Sequence, residues 1–361
     1  MMGENNGCPC AIPSLDRSLG CTLGGAVGDA LGYPVEFYKL DEIVSCYGDS
    51  GITDLQLDSR TGKALISDDT QMTLFTLDGI LTALANGGTD VHEWGTLLPK
   101  AFEGSYLKWL YTQTEFSDLP ERIADYGLRN PCDYVMDAPE LFSNREPGRT
   151  CLSALIALAK GENVYNHSKG CGGVMRVAPV GLLYPDNPSM AYDAGVRAAN
   201  VTHKHPTSDE AGGAMASIIS LIVAGKSVRQ AVRQTLTILE NCERSNGETA
   251  EALLHALELA DSKISVRESI AALGEGWVAE EALAIAVYCA ITAKSFRQGV
   301  IHAVNHDGDS DSTGAICGNI LGALYGVQTI PAKWRDNLEL RGFIEHLTSV
   351  FHRMVSAEVR L

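Results

Sequence analysis

Apolar side chains recur at helical spacing through most of the chain. Met72, Leu74, Phe75, Leu77, Ile80, Leu81 and Leu84 follow a 3.6-residue period and stop at Asn86-Gly87-Gly88, so the spacing predicts a helix opened by Ser67, Asp68 and Asp69. The stretch 14–31 is rich in Leu, Ala and Gly. Gly20, Gly24, Gly25 and Gly28 let another backbone come close, which predicts a buried helix. Further helices are predicted at 92–115, 150–160, 186–203, 208–224, 227–241, 248–260, 266–273, 278–293 and 296–304. The last two run from Thr313 to Tyr325 and, after Pro331, from Trp334 to about Ser356. Strand signals are few: Gly51-Ile-Thr-Asp-Leu-Gln-Leu57 alternates over only a few residues. The fold class expected is therefore all-α. Residues 116–149, with Pro120, Pro131, Pro139 and Pro147, read as an irregular excursion of the kind that often carries function.

With 361 residues, 45% hydrophobic and 20% charged, the chain can bury a substantial core. No repeat or linker divides it, so a flexible tail over 1–14 and a single domain over 15–361 are expected. The net charge of −17 argues against nucleic acid or an anionic membrane as a partner, because both demand Lys and Arg. An anionic ligand would need local help. The ten cysteines, at 8, 10, 21, 46, 132, 151, 171, 242, 289 and 317, form no C-x-x-C pair and sit in mostly apolar surroundings. That pattern fits reduced thiols, hence a cytoplasmic protein. No signal peptide is evident at the start, and no apolar run reaches the ~20 residues of a membrane helix. No large exposed apolar stripe demands a partner, and a monomer is expected.

Five clusters carry candidate chemistry. His306-Asp-Gly-Asp-Ser-Asp-Ser-Thr-Gly314 crowds three carboxylates onto one short loop. Such a loop either splays into water or is held by a hard cation on oxygen ligands, Mg2+, Mn2+ or Ca2+. Ser67-Asp68-Asp69-Thr70 suits a helix cap, yet its unbroken row of oxygen donors also suits a cation. Gly28-Asp-Ala-Leu-Gly32, followed by Glu36, reads as a capped turn or as acidic site residues. In Lys169-Gly-Cys-Gly-Gly-Val-Met-Arg176 the glycines free backbone N–H groups for a phosphate and Arg176 can add charge. It lacks the marks of a P-loop or a dinucleotide fingerprint, and a structural glycine turn is the alternative. Thr202-His-Lys-His-Pro206 has no third soft ligand at zinc spacing, which favours a polar ligand contact or a helix-end hydrogen bond.

Taken in order, these blocks, with Arg145-Glu-Pro-Gly148 and Thr150, closely resemble the signature blocks of the ADP-ribosylglycohydrolase family from about residue 15 to 330. The resemblance implies a compact all-α bundle with a binuclear Mg2+ centre, Mn2+ being the substitute, in a central cleft. It places metal ligands on Ser67, Asp68, Asp69, Asp309, Asp311 and Ser312, with Ser67 and Ser312 standing where the family often has Thr. It also implies a role for Glu36 beside the metals or substrate, a diphosphate cradle over Gly170, Gly172, Gly173, Val174, Met175 and Arg176, and a ligand contact for His203. Asp29 and Asp307 receive no ligand role.

The activity implied is hydrolysis of the bond between ADP-ribose and a modified protein side chain, most readily arginine, with Asp68, Asp69 or Glu36 as general base. Serine or another O-linked acceptor is the alternative linkage. Two other readings stand beside it. One is an ADP-ribose-binding or immunity protein whose partner is an ADP-ribosyltransferase; the other is a metal phosphohydrolase acting on a nucleotide diphosphate. The aromatics Tyr106, Trp109 and Tyr111 could stack on adenine, but their helical spacing favours the core.

Overall fold

A computed structural model describes residues 13–87, 91–113, 119–124, 126–128, 134–242 and 245–358. Positions 1–12 of the expected tail, with Cys8 and Cys10, and Cys132 lie outside them. Its helices are α1 (Leu15–Gly32), α2 (Leu40–Tyr47), α3 (Asp68–Gly87), α4 (Val91–Gln113), α5 (Leu119–Ala124), α6 (Arg149–Ala159), α7 (Ala178–Leu183), α8 (Pro188–Asn200) and α9 (Pro206–Val223). They continue as α10 (Val228–Glu240), α11 (Glu248–Asp261), α12 (Val266–Leu273), α13 (Ala279–Thr292), α14 (Phe296–Val304), α15 (Ser310–Tyr325), α16 (Ala332–Asn337) and α17 (Arg341–Glu358). Among the described residues β pairing is limited to two isolated bridges, Ala64 with Leu338 and Gly170 with Val278, so the fold is all-α.

The centre of the molecule is the antiparallel pair α1 and α15. Both are buried on every face over most of their length, which is why neither shows an amphipathic stripe. They meet through glycine. A Cβ on Gly20 would stand 2.2 Å from the Gly322 carbonyl oxygen, one on Gly24 2.3 Å from that of Gly318, and one on Gly28 1.9 Å from that of Gly314. The register continues to Gly32 against Ser310, and Asn319 bridges the pair by donating to the Cys21 carbonyl at 2.8 Å. Helices α3, α7, α9, α13, α14 and α17 pack around this axis.

Three departures from the periodicity reading have clear causes. The alternating stretch 51–57 forms no strand, because the Asn305 side chain occupies both backbone groups of Ile52, accepting its N–H at 2.8 Å and donating to its carbonyl at 2.9 Å. The terminal helix is interrupted between Asn337 and Arg341, where Leu340 takes φ 56°. There the chain runs beside 64–66: Ala64 N–H donates to the Asn337 carbonyl at 2.8 Å and Glu339 N–H to the Ala64 carbonyl at 3.0 Å. Helix α15 begins at Ser310 instead of Thr313, since the Asp309 side chain caps it by accepting the Ser312 N–H at 3.3 Å. Tyr106 and Trp109 are core residues, as their spacing favoured.

Candidate active site

Two helix N-termini, each carrying acidic side chains, are brought together where α1 ends. Asp29, in the last turn of α1, accepts the Ser67 N–H at 3.0 Å and the Thr70 N–H at 3.2 Å, and takes the Thr70 hydroxyl as well. It therefore caps α3 from another helix, satisfying N–H groups that the helix itself leaves open. Ser67 accepts the Asp69 N–H at 3.2 Å and also hydrogen-bonds Asp311, joining the start of α3 to the start of α15. Behind them Arg145 and Glu339 form a buried ion pair at 2.8 Å. Glu339 accepts the Ile66 N–H, and the Arg145 carbonyl accepts the Asp68 N–H at 3.1 Å, so this pair fixes the approach to α3.

The result is a cleft of about 440 Å3. Of the residues singled out from sequence, Glu36, Asp68, Asp69, Gly170, Gly172, Met175, His203, Asp309, Asp311 and Ser312 line it. Ser67 lies buried just beneath them. Val174 belongs to the core, and Gly173 packs against α8 and α9, where an added Cβ would meet Ser208 Oγ at 2.4 Å. Arg176 also stands behind the wall instead of in it. Its guanidinium is fully buried 4.3 Å above the Tyr106 ring and donates to the Ala198 carbonyl and to Thr202 Oγ1. Asp307 is spent elsewhere, accepting the Leu40 N–H at 2.6 Å, and His205 caps α9 by accepting the Thr207 N–H.

Several lining residues carry no individual role assigned from sequence. Cys171 donates its thiol to Asp309 Oδ2 at 2.8 Å. Residues 146–151, which join the end of the proline-rich excursion to the first turn of α6 and include the Glu146-Pro-Gly148 and Thr150 blocks, form one wall. At the mouth Phe37 and Trp277 stack with centroids 5.8 Å apart, and Glu275 bonds both Trp277 Nε1 and Lys39. The one sequence signal for that rim was an aromatic residue directly after the Gly274-Glu-Gly276 turn. A larger groove of about 610 Å3, lined from Pro99 to Asp209, lies apart from the carboxylates.

The electrostatics of the cleft are unbalanced. Burial, then repulsion from neighbouring carboxylates, above all Asp311, holds Asp68, Asp69 and Asp309 well above the usual carboxylate range; Glu36 and Asp29 are raised for the same reasons. Among the described residues none of the six carboxylates that line the cleft, Glu36, Asp68, Asp69, Glu146, Asp309 and Asp311, has an ion-pair partner, and Asp69 Oδ2 and Glu36 Oε2 are buried with no hydrogen bond. Such a set demands either protons or cations, and its oxygen-only donors fit a hard divalent ion. Among the described residues no group of three or more His, Cys, Asp or Glu is placed to hold a metal ion as the side chains stand.

Helix ends that present unneutralised carboxylates to a cleft supply the groups a hydrolase needs to bind cations and to accept a proton from water. The ADP-ribosylglycohydrolase family model matches residues 12–359, and the chain belongs to that family of enzymes. It is 27% identical over 330 residues to the ADP-ribosyl-[dinitrogen reductase] glycohydrolase of Rhodospirillum rubrum, covering 90% of this chain and 91% of that protein. It is 26% identical to the ADP-ribosylarginine hydrolase Tri1 of Serratia proteamaculans (97% and 83%) and 24% identical to ADP-ribosylhydrolase ARH3 of Mus musculus (95% and 93%). A solved structure, titled ADP-ribosylglycohydrolase-related protein complex, superposes with a TM-score of 0.58 at 24% identity, over 94% of this chain and 98% of that one, and shares the fold. No helix among the described residues is long and apolar enough to cross a membrane.

Proposed function

We propose that this protein is a divalent-cation-dependent hydrolase that removes ADP-ribose from a modified arginine side chain of a protein. The observation that carries the reading is the cleft's set of buried, unneutralised carboxylates, with free oxygens on Asp69 and Glu36. Asp68, Asp69, Asp309 and Asp311, with the hydroxyls of Ser67 and Ser312, would hold two cations, Mg2+ or Mn2+. When bound, these supply charge neutralisation and polarisation of hydroxyl and water oxygens.

The chain's own groups then divide the work. Asp69 Oδ2, free of any hydrogen bond, takes a proton from the attacking water, whereas Asp68 Oδ2 is engaged by the Gly148 N–H at 3.2 Å. Glu36 is the second candidate base, for the same reason as Asp69. The water oxygen bonds to C1 of the ribose as the C1–N bond breaks, and a proton goes to the departing guanidine nitrogen. Positive charge developing at C1 is stabilised by the surrounding carboxylates, as in other glycoside hydrolyses. The glycines at 170 and 172 leave room for the ligand's phosphates beside His203, and the Phe37 and Trp277 pair faces the acceptor. Arginine is preferred as acceptor because the relative Tri1 carries a name that specifies ADP-ribosylarginine.

The test is to incubate the protein with ADP-ribosyl-arginine and ADP-ribosyl-serine peptides, with MgCl2 or with EDTA, and to follow ADP-ribose release. Faster release from arginine, abolished by EDTA and by Asp309→Ala, is expected. Release from serine alone would move the acceptor, AMP among the products would indicate a phosphohydrolase, and no release from either peptide would refute the proposal. Neutralisation of a transferase that survives Asp309→Ala would point to an immunity protein.

A further inference from the structure

Arg176, Thr202 and His203 form a chain of hydrogen bonds that ends at the cleft. The Arg176 guanidinium donates from Nη2 to Thr202 Oγ1 at 2.7 Å, and Thr202 Oγ1 lies 2.9 Å from His203 Nδ1. A guanidinium can only donate, so the Thr202 oxygen accepts from it and has its own proton to give. Nδ1 of His203 is the ring nitrogen within reach. If it accepts that proton, the other nitrogen, Nε2, carries the ring's N–H.

Nε2 faces Gly170 and Gly172, which line the cleft together with His203. A Cβ built on Gly170 would lie 3.4 Å from it, and one on Gly172 would lie 3.4 Å from it and 3.0 Å from Cε1, so the two glycines of the cradle leave its approach open. The buried positive charge also favours a lone pair on the Nδ1 side. Arg176 is fixed there by Tyr106, by the Ala198 carbonyl at 3.0 Å, and by the sulfur atoms of Met72 and Cys151. Burial and the neighbouring Arg176 push the His203 pKa down to about 3, so the ring stays neutral at working pH.

We propose that Arg176 and Thr202 are positioning residues that lock His203 as its Nε2–H tautomer, giving the cleft a fixed, uncharged donor for an oxygen of the bound ADP-ribose. The ligand rests on the proposed function; the tautomer does not. A competing arrangement exists in the same contacts: Thr202 could give its proton to Cys151 Sγ and accept from His203 Nδ1, which would leave Nε2 bare.

Nitrogen-detected NMR of the full chain, labelled at histidine and assigned with His203→Gln, separates the two. An unprotonated Nδ1 and a protonated Nε2, unchanged between about pH 5.5 and 8, are expected; a protonated Nδ1 or an imidazolium overturns the proposal, and this measurement needs no Thr202 variant to fold. Thr202→Val should then mix the tautomers and weaken ADP-ribose binding about tenfold by calorimetry, the size of one hydrogen bond, and Thr202→Ser should restore both. A T202V protein with tautomer and affinity unchanged refutes the relay. Absence of ADP-ribose binding by the unmodified protein would refute the proposed function and the donor role together, while leaving the tautomer to be judged by its own spectrum.

Discussion

Replacing Gly28 with alanine would put a methyl carbon 1.9 Å from the Gly314 carbonyl oxygen, where ordinary contact begins at 3.4 Å. Both sides of that contact are backbone, so no side chain can swing away; α1 and α15 must part locally by about 1.5 Å. Overpacking of this kind costs about 3 kcal/mol, and the better helix propensity of alanine returns about 1, which leaves a loss near 2 kcal/mol. For 361 residues unfolding with about 2.1 cal/mol/K each, the melting point should fall roughly 3 °C. The informative comparison is Gly20→Ala, whose methyl would stand 2.2 Å from the Gly322 oxygen, an equivalent clash about 12 Å farther along α1. Both variants should lose similar stability by calorimetric melting. Only Gly28→Ala should also lose most of its ADP-ribose release, because it displaces Asp29 and the start of α15, which hold the carboxylates in place. Equal activity losses in the two variants, or a G28A protein that melts and turns over normally, would refute the glycine contact as the device that positions the site.

Other consequences follow from the same geometry. Asp68, Asp69 and Asp309 have folded-state pKa values raised above the unfolded ones, so the stability they contribute is full below about pH 4 and is lost as pH rises through the raised values. Chelator-treated protein should therefore melt lower at pH 8 than at pH 5.5, and MgCl2 should cancel the difference; a pH slope indifferent to MgCl2 would contradict the cation reading. Asp307→Asn should keep both cation binding and activity, because its carboxylate is committed to the Leu40 N–H outside the cleft; loss of either in binding or turnover assays would show that it serves the site. Glu339→Gln leaves the Arg145 charge buried without its partner and should cost about 3 kcal/mol in chemical denaturation, with a matching loss of cation affinity as the approach to Asp68 loosens.

How far this was legible in sequence depends on whether an element's neighbours lie near it in the chain. The helices were readable because their periods and stop signals are local, as at Met72 to Gly87. The glycines of 14–31 announced a close contact, and those at 314, 318, 322 and 326 offered a partner at the same spacing, so the central pair was visible from both sides. What could not be read is direction. Arg176 looked like a charge for a phosphate because an arginine after a glycine loop is locally indistinguishable from one; only the fold supplies Tyr106 and Thr202, seventy residues before and twenty-six after, to turn it inward. Asp29 looked idle for the opposite reason, since the open N–H groups it satisfies belong to a helix that starts almost forty residues later. In both cases the residue acts on the site from behind. A sequence shows which groups can touch a ligand, whereas the groups that hold those in place are recognisable only once distant segments have been brought into contact, and in this protein two of the most buried charges, Asp29 and Arg176, are of that second kind.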